Sequence, residues 1–288
     1  MIGGRLDTLE AALTAFRVHR TPARITAALR SDGVAGLQGD FEALDQDSRV
    51  DIESKAKALA ERGVSAMLFG QQDFPDSLVV QSKPLMPILF YKGNKDLFYE
   101  PGVGMCGSRN VSMKGLEAAE RCGTAASSQD WTIVSGYAKG VDTATHLAAL
   151  RSGGQTVIVL AEGIDFFRIK REFAADFDAD RTLVISQFAP TQTWQAHAAM
   201  ARNSIIFGLS RALVVIEAGE RGGTLAAGHG ALKIGRPVLV VDFGNDTPAG
   251  NRILLDAGAE PVRNAVDLKE RLADLADSVP DPDSRTLF

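Results

Sequence analysis

Between Val103 and Leu160 the chain runs twice through one arrangement, a short apolar strand, a small-residue turn that carries a cation, and a helix. The first copy is Val103-Gly-Met-Cys-Gly-Ser-Arg109, leading into an amphipathic stretch from Ser112 to about Ser127. The second is Thr132-Ile-Val-Ser-Gly136-Tyr-Ala-Lys139-Gly140, followed by a helix from Val141 to Leu150 and a third strand from Thr156 to Leu160. Strand, turn, helix and strand at this spacing predict right-handed crossovers between parallel strands. Ligands of such sheets sit beyond the carboxyl ends of the strands, where helix N-termini present N–H groups and a partial positive charge. Ser108, Arg109, Ser135, Gly136 and Lys139 fall at that edge, and the paired cation-bearing turns point to a phosphate ligand.

The alternation continues downstream. Strands are predicted over Thr182–Gln187, Ala212–Glu217, Pro237–Asp242 and Pro261–Val262, with helices from about Trp194 to Phe207, up to Ile234, and from Gly250 to Ala257. Apolar strands separated by helices require a largely parallel sheet covered on both faces. Upstream, residues 1 to about 68 carry apolar residues at three- and four-residue spacing, as in Leu9-Glu-Ala-Ala-Leu-Thr-Ala-Phe16, and predict several short helices with turns at Ser31–Gly36 and Gly39–Asp40. Met86–Lys92 reads as a strand. The expected division is a helical N-terminal domain over 1–69, an α/β domain over 70–268, and a tail over 269–288 whose Asp, Pro and Ser content from Asp277 onward predicts disorder.

A formal net charge of −5 argues against a protein that coats nucleic acid with its whole surface, but leaves room for a local basic site. Acidic residues gather in the N-terminal segment, in Asp176–Asp180 and from Asp267 onward, whereas the predicted ligand edge carries Arg109, Lys139 and Arg202. No apolar run approaches the roughly 18 residues needed to span a bilayer, and no leader pattern opens the chain, so the expected location is the cytoplasm, away from membranes. Cys106 and Cys122 have no CxxC spacing and no neighbouring His, which predicts buried free thiols and no metal site.

Gly102-Val-Gly-Met-Cys-Gly107 has the letters of a dinucleotide fingerprint, but its glycines lie within the strand rather than after it, and no acidic residue ends the next strand. No cofactor is expected. Gly107-Ser108-Arg109 offers a backbone that a ligand can approach, a hydroxyl and a planar fork; the competing reading is a tight turn with a surface Arg. In Ser135-Gly136-Tyr-Ala-Lys139-Gly140-Val-Asp142, Asp142 is expected to cap the helix, and His146 lies on the same helical face as a possible partner. Arg202 and Asn203 precede an apolar turn and are predicted to reach the ligand edge. Gly219-Glu-Arg-Gly222-Gly223-Thr224 lies between a strand and a helix, so its N–H groups could also hold phosphate. No paired carboxylates, Ser-His-Asp set or Walker loop occurs, and no catalytic residue is assigned.

Taken together these segments resemble the DNA-processing protein A (DprA/Smf) family, from about Phe74 to Ala259. The matching pieces occur in family order: Phe74-Pro75, Pro87–Gly93, Gly107-Ser-Arg109, Ser135–Asp142 with His146, Gly153–Leu160 with Gly163-Ile-Asp165, Arg202-Asn203, Gly208-Leu-Ser210, Val214–Ala218, Gly235-Arg236 and Gly250-Asn251. The resemblance implies a Rossmann-like α/β fold and a non-catalytic protein that binds single-stranded DNA, helps to load a RecA-type recombinase in recombination or DNA uptake, and forms a homodimer. On matching positions, Arg109, Lys139, Arg202 and Asn203 would line the DNA or phosphate pocket, with Ser108, Ser135 and Gly136 adding hydroxyl and backbone contacts. Arg202-Asn203-Ser204 stands where the family usually reads Arg-Asn-Arg, and the C-terminal winged helix of many members is expected to be missing. A nucleotide-binding sensor or a nucleoside-phosphate hydrolase of the same wider fold group is the alternative.

Overall fold

The computed structural model describes residues 6–277. In chain order the helices and strands begin with α1 (Thr8–His19), α2 (Pro22–Glu42), α3 (Gln46–Glu61), β1 (Val64–Leu68), β2 (Val79–Val80), β3 (Lys83–Pro84), β4 (Ile88–Gly93) and β5 (Gly102–Cys106). They continue with α4 (Met113–Ser127), β6 (Thr132–Gly136), α5 (Val141–Arg151), β7 (Thr156–Val159), β8 (Thr182–Ser186), α6 (Ala196–Ala201), α7 (Asn203–Gly208) and β9 (Ala212–Val215). The last are α8 (Gly223–Lys233), β10 (Val238–Val241), α9 (Ala249–Asp256), β11 (Glu260–Val262) and α10 (Ala265–Asp277). Contacts divide the chain into two compact units, one of residues up to Tyr99 with Val157–Leu209, the other of Glu100–Thr156 with Ser210 onward.

In the first unit, α1 starts on a reciprocal cap, the Glu10 N–H donating to Asp7 Oδ1 (2.8 Å) and the Asp7 N–H to Glu10 Oε2 (3.0 Å). The strand order is β1-β4-β8-β7. β1 pairs antiparallel with β4, and β4 with β8, so the sheet is not parallel throughout. Residues 64–68, expected to be helical, are β1: a short apolar run between Gly63 and Gly70, both at positive φ, pairs with β4 and buries Met67 and Leu68. α1 stacks Phe16 on Phe90 of β4, with 6.0 Å between centroids. The unit therefore joins helices and strands on both sides of the expected boundary at residue 69. The break expected at Ser31–Gly36 is present as a kink at Gly33 (φ 62°, ψ −168°), where two helical runs meet within α2, whereas the turn expected at Gly39–Asp40 is helical.

The second unit is a five-stranded parallel sheet in the order β6-β5-β9-β10-β11. β5 comes first in sequence and sits between β6 and β9, so the order reverses at β5, the place where open α/β sheets open a crevice at their carboxyl edge. One apolar layer joins the strands to α4, α5 and α10 through Met105, Ala119, Ala144, Val214, Leu268 and Leu272. Since β10 and β11 extend away from β6, right-handed crossovers place α8 and α9 on the opposite face. These two helices meet where Gly228 leaves room only for the Leu254 side chain. Residues 269–277, expected in the tail, are helical because Leu268 and Leu272 recur at helical spacing and are fully buried; the remaining tail, 278–288, lies outside the described residues.

Cys106 and Cys122 are buried free thiols, as expected. Burial pushes the Cys122 thiol up to about 12. A raised thiol pKa leaves its contribution to stability intact below the ordinary range near 9 and removes it as pH climbs toward 12. Iodoacetamide at pH 8 is expected to leave Cys122 unmodified in the native protein and to label it in urea, read by intact-mass spectrometry; labelling at the rate of a free thiol without denaturant would refute its burial.

Candidate functional site

The two cation-bearing turns of the second unit are held together at their glycines. Gly140 caps α5 with φ 82°, and a Cβ there would stand closer than 3.0 Å to the carbonyl oxygens of both Ser108 and Arg109. The Val141 N–H donates to the Ser108 carbonyl at 3.3 Å. Gly107 lies against Val141 with no room for a side chain between them. The turn after β5 is thus seated on the N-terminus of α5, beside the turn after β6. Arg109 and Lys139 are both exposed, and Ser108 is half-buried with its hydroxyl accepting the Asn110 N–H at 3.1 Å.

Ser135 and Gly136 serve this arrangement from inside. Ser135 is fully buried and donates its hydroxyl to the Met105 carbonyl at 2.6 Å, bridging β6 to β5 rather than facing a ligand. Gly136 is also buried, and its carbonyl accepts from His146 Nε2 at 2.6 Å. The other ring nitrogen of His146 shares a 2.5 Å hydrogen bond with Thr156 Oγ1, whose hydroxyl also reaches the Ile133 carbonyl at 2.9 Å. His146 therefore braces the start of the loop. Asp142 is not the N-cap, a position Gly140 occupies; its carboxylate turns back to the Ala138 N–H at 3.2 Å and closes the loop on itself.

The crevice between β5 and β9 is filled from within the chain. Glu217, just past β9, accepts the Ser112 N–H at 3.1 Å and the Ser112 hydroxyl at 2.6 Å, and packs over Gly115 in the first turn of α4. The positive end of that helix already faces a carboxylate. In the sequence Glu217 reads only as a strand residue, because its partner Ser112 lies 105 positions away. Asn251 is a second such residue. Fully buried, it donates to the carbonyls of Ile216 (2.9 Å) and Val241 (2.8 Å) and accepts the Ala218 N–H (2.7 Å), tying the ends of β9 and β10. The turn that follows carries Gly222, at φ 117° as N-cap of α8 without a side-chain cap, then Gly223 and Thr224, both half-buried.

Arg202 and Asn203 belong to the first unit. The single helix predicted from Trp194 to Phe207 is instead α6 and α7, meeting at Arg202, and the Arg202 side chain is only 7% exposed. It is close enough to Glu162 to act on its carboxyl. Burial raises that carboxyl above its ordinary range, and Arg202 and Lys170 partly offset the rise. Glu162 and Lys170 carried no sequence signal for this cluster, which forms just past the carboxyl end of β7. Among the described residues no group of three or more His, Cys, Asp or Glu is placed to hold a metal ion, and no helix is long and apolar enough to cross a membrane.

The family model for DNA recombination-mediator protein A matches residues 65–273. Among curated relatives, the DNA processing protein DprA of Streptococcus pneumoniae is 39% identical over 155 residues, which cover 54% of this chain and 55% of that protein. DprA of Bacillus subtilis is 30% identical over 219 residues, covering 75% and 73%. The X-ray structure of the Streptococcus pneumoniae protein superposes with a TM-score of 0.69 at 27% identity over 93% of each chain. DNA processing protein A from Helicobacter pylori, whose structure concerns a unique single-stranded DNA binding mode, shares the fold, with a TM-score of 0.64 at 20% identity over 73% of this chain and 96% of that one.

Proposed function

Because the chain belongs to the DNA recombination-mediator protein A family, we propose that it binds single-stranded DNA and acts as a recombination mediator, handing the strand to a RecA-type recombinase as a cytoplasmic homodimer. On this reading residues 70–268 form the DNA-binding part. Arg109 and Lys139 engage backbone phosphates, with Ser108 and the Gly222-Gly223-Thr224 turn as further contacts at the same sheet edge. Arg202 and Asn203, in the first unit, are phosphate contacts of that unit. Ser135 and Gly136 act as supports.

The observation that carries this reading is the seating of the Gly107–Arg109 turn on Gly140. It presents two exposed cations from adjacent turns at the carboxyl edge of a parallel sheet, the arrangement a basic groove needs to follow a phosphate backbone. Binding is favoured over hydrolysis because Glu217, the carboxylate at the β5–β9 crevice, is engaged in holding α4. The test is fluorescence anisotropy of labelled oligo-dT at several salt concentrations. Replacing Arg109 and Lys139 together by Ala should weaken binding at low salt about a hundredfold, roughly tenfold for each charge-assisted contact. The slope of log affinity against log salt should flatten by about 1.4, the single-strand value for two phosphates. Unchanged affinity and slope, or displacement of the oligonucleotide by one mononucleotide, would overturn it.

A further inference from the structure

The first unit exposes two aromatic rings on a pair of clamped turns. Phe166 is 46% and Trp194 50% exposed, whereas the chain's other tryptophan, Trp131, is 3% exposed under the Arg211 guanidinium. The turn bearing Phe166 is bonded to the segment leading to Trp194, the Gly163 N–H donating to the Gln192 carbonyl at 2.8 Å and the Asp165 N–H to the Pro190 carbonyl at 3.1 Å. A side chain on Gly163 would overlap the Pro190 carbonyl, so the close approach is built into the sequence. Asp165 is held by Arg62 at 2.6 Å, and Arg168 closes the turn by donating to the carbonyls of Asp165 (2.9 Å) and Phe167 (2.7 Å). Phe167 faces Phe177 at 6.3 Å, while its neighbour Phe166 remains outside.

Leaving large rings half in water is costly unless something covers them, at roughly 25 cal/mol for each Å² of apolar surface. The chemistry around them selects the cover. Arg168, Lys170 and Arg171 lie within five residues of Phe166, with Arg168 and Arg171 exposed, so the same short stretch of chain carries an exposed ring and positive charge. Single-stranded nucleic acid has the complementary pair, unstacked bases and a phosphate chain.

Resting on the single-strand reading above, we infer that Phe166 and Trp194 form a stacking platform for unpaired nucleobases, with Arg168, Lys170 and Arg171 attracting the adjoining phosphates. Stacking makes this part of the affinity depend on the presence of bases but not on their order, because every base offers a π-face.

The two tryptophans supply the test. Oligo-dT should quench the fluorescence of Trp194 in the full chain, and an equally long strand of abasic residues should bind without quenching. In Trp194→Phe, which keeps an aromatic face, Trp131 is the sole reporter, and oligo-dT should bind with little loss and no quenching. The double variant Phe166→Ala, Trp194→Ala should bind oligo-dT at least about fivefold more weakly and the abasic strand as before. The inference is overturned if oligo-dT binds the wild type without quenching, if the abasic strand quenches equally, or if the double variant keeps full affinity. The first and third of these leave single-strand binding standing, whereas no binding of either strand in the anisotropy assay removes both readings.

Discussion

Replacing Gly140 by Ala is expected to abolish tight binding of oligo-dT and to lower stability by about 2–4 kcal/mol. Gly140 has φ 82° and ψ −129°, a conformation that residues with a Cβ rarely adopt. The new methyl would also press on the carbonyl oxygens of Ser108 and Arg109, closer to each than real Cβ atoms approach. Both obstacles are backbone, so no rotamer change relieves them. The turns must separate, the bond from the Val141 N–H to the Ser108 carbonyl is lost, and Arg109 moves relative to Lys139. Gly153, beyond the other end of α5, is the control. Its φ is 77°, but nothing lies within 4 Å of a Cβ there, so Gly153→Ala should cost about 1 kcal/mol of strain and leave DNA affinity alone. Urea unfolding and anisotropy on both variants decide the matter. Equal affinity in the two would show that the seating of one turn on the other does not matter for binding.

What could be read in advance and what could not follow the range of the interactions. The β5–α4–β6–α5 run was legible because its signals are local: apolar strands ending in glycine, Ser112 placed to accept the Gly115 N–H as an N-cap, and a helical period behind it. β1 was missed because Val64–Leu68 is too short to show a period, and only pairing with β4, across an intervening segment, makes it a strand. α10 was missed because its acidic residues read as tail, while the two leucines that bury it find their layer only once the sheet exists. In the site, the exposed cations were legible and the residues that aim them were not. In the sequence Ser135 reads as a ligand contact because its hydroxyl is visible there, whereas the Met105 carbonyl that accepts its hydrogen bond is 30 positions away. Glu217, His146 and Asn251 are of the same kind, polar groups whose partners reach them only in the completed fold.

Asn251→Ala is expected to lower stability by at least about 3 kcal/mol, the largest loss anticipated for any single polar side chain of the second unit. The amide satisfies three buried backbone groups at once, the carbonyls of Ile216 and Val241 and the N–H of Ala218, and each left without a partner costs roughly 1–3 kcal/mol. Water is poorly placed to replace it, because the site is fully buried and Gly250 already lies against the carbonyls of Ala218 and Gly219. Asn251→Asp should be no milder at neutral pH, since a carboxylate can accept the Ala218 N–H but meets the two carbonyls with negative charge. A fall in urea midpoint of less than about 1 kcal/mol equivalent for either variant would contradict the assigned bonds. The same variants also address the Gly222-Gly223-Thr224 turn, a stretch of the proposed site in the second unit that is not tied to Gly140. Asn251 holds the strand ends from which the Gly222-Gly223-Thr224 turn departs, so loosening it should move that turn and leave Arg109 and Lys139 in place. If those two cations carry the binding, Asn251→Ala should keep oligo-dT affinity within about threefold at a temperature where it remains folded. A larger loss would make the α8 turn a phosphate contact in its own right, and would extend the DNA path past β5 to β9.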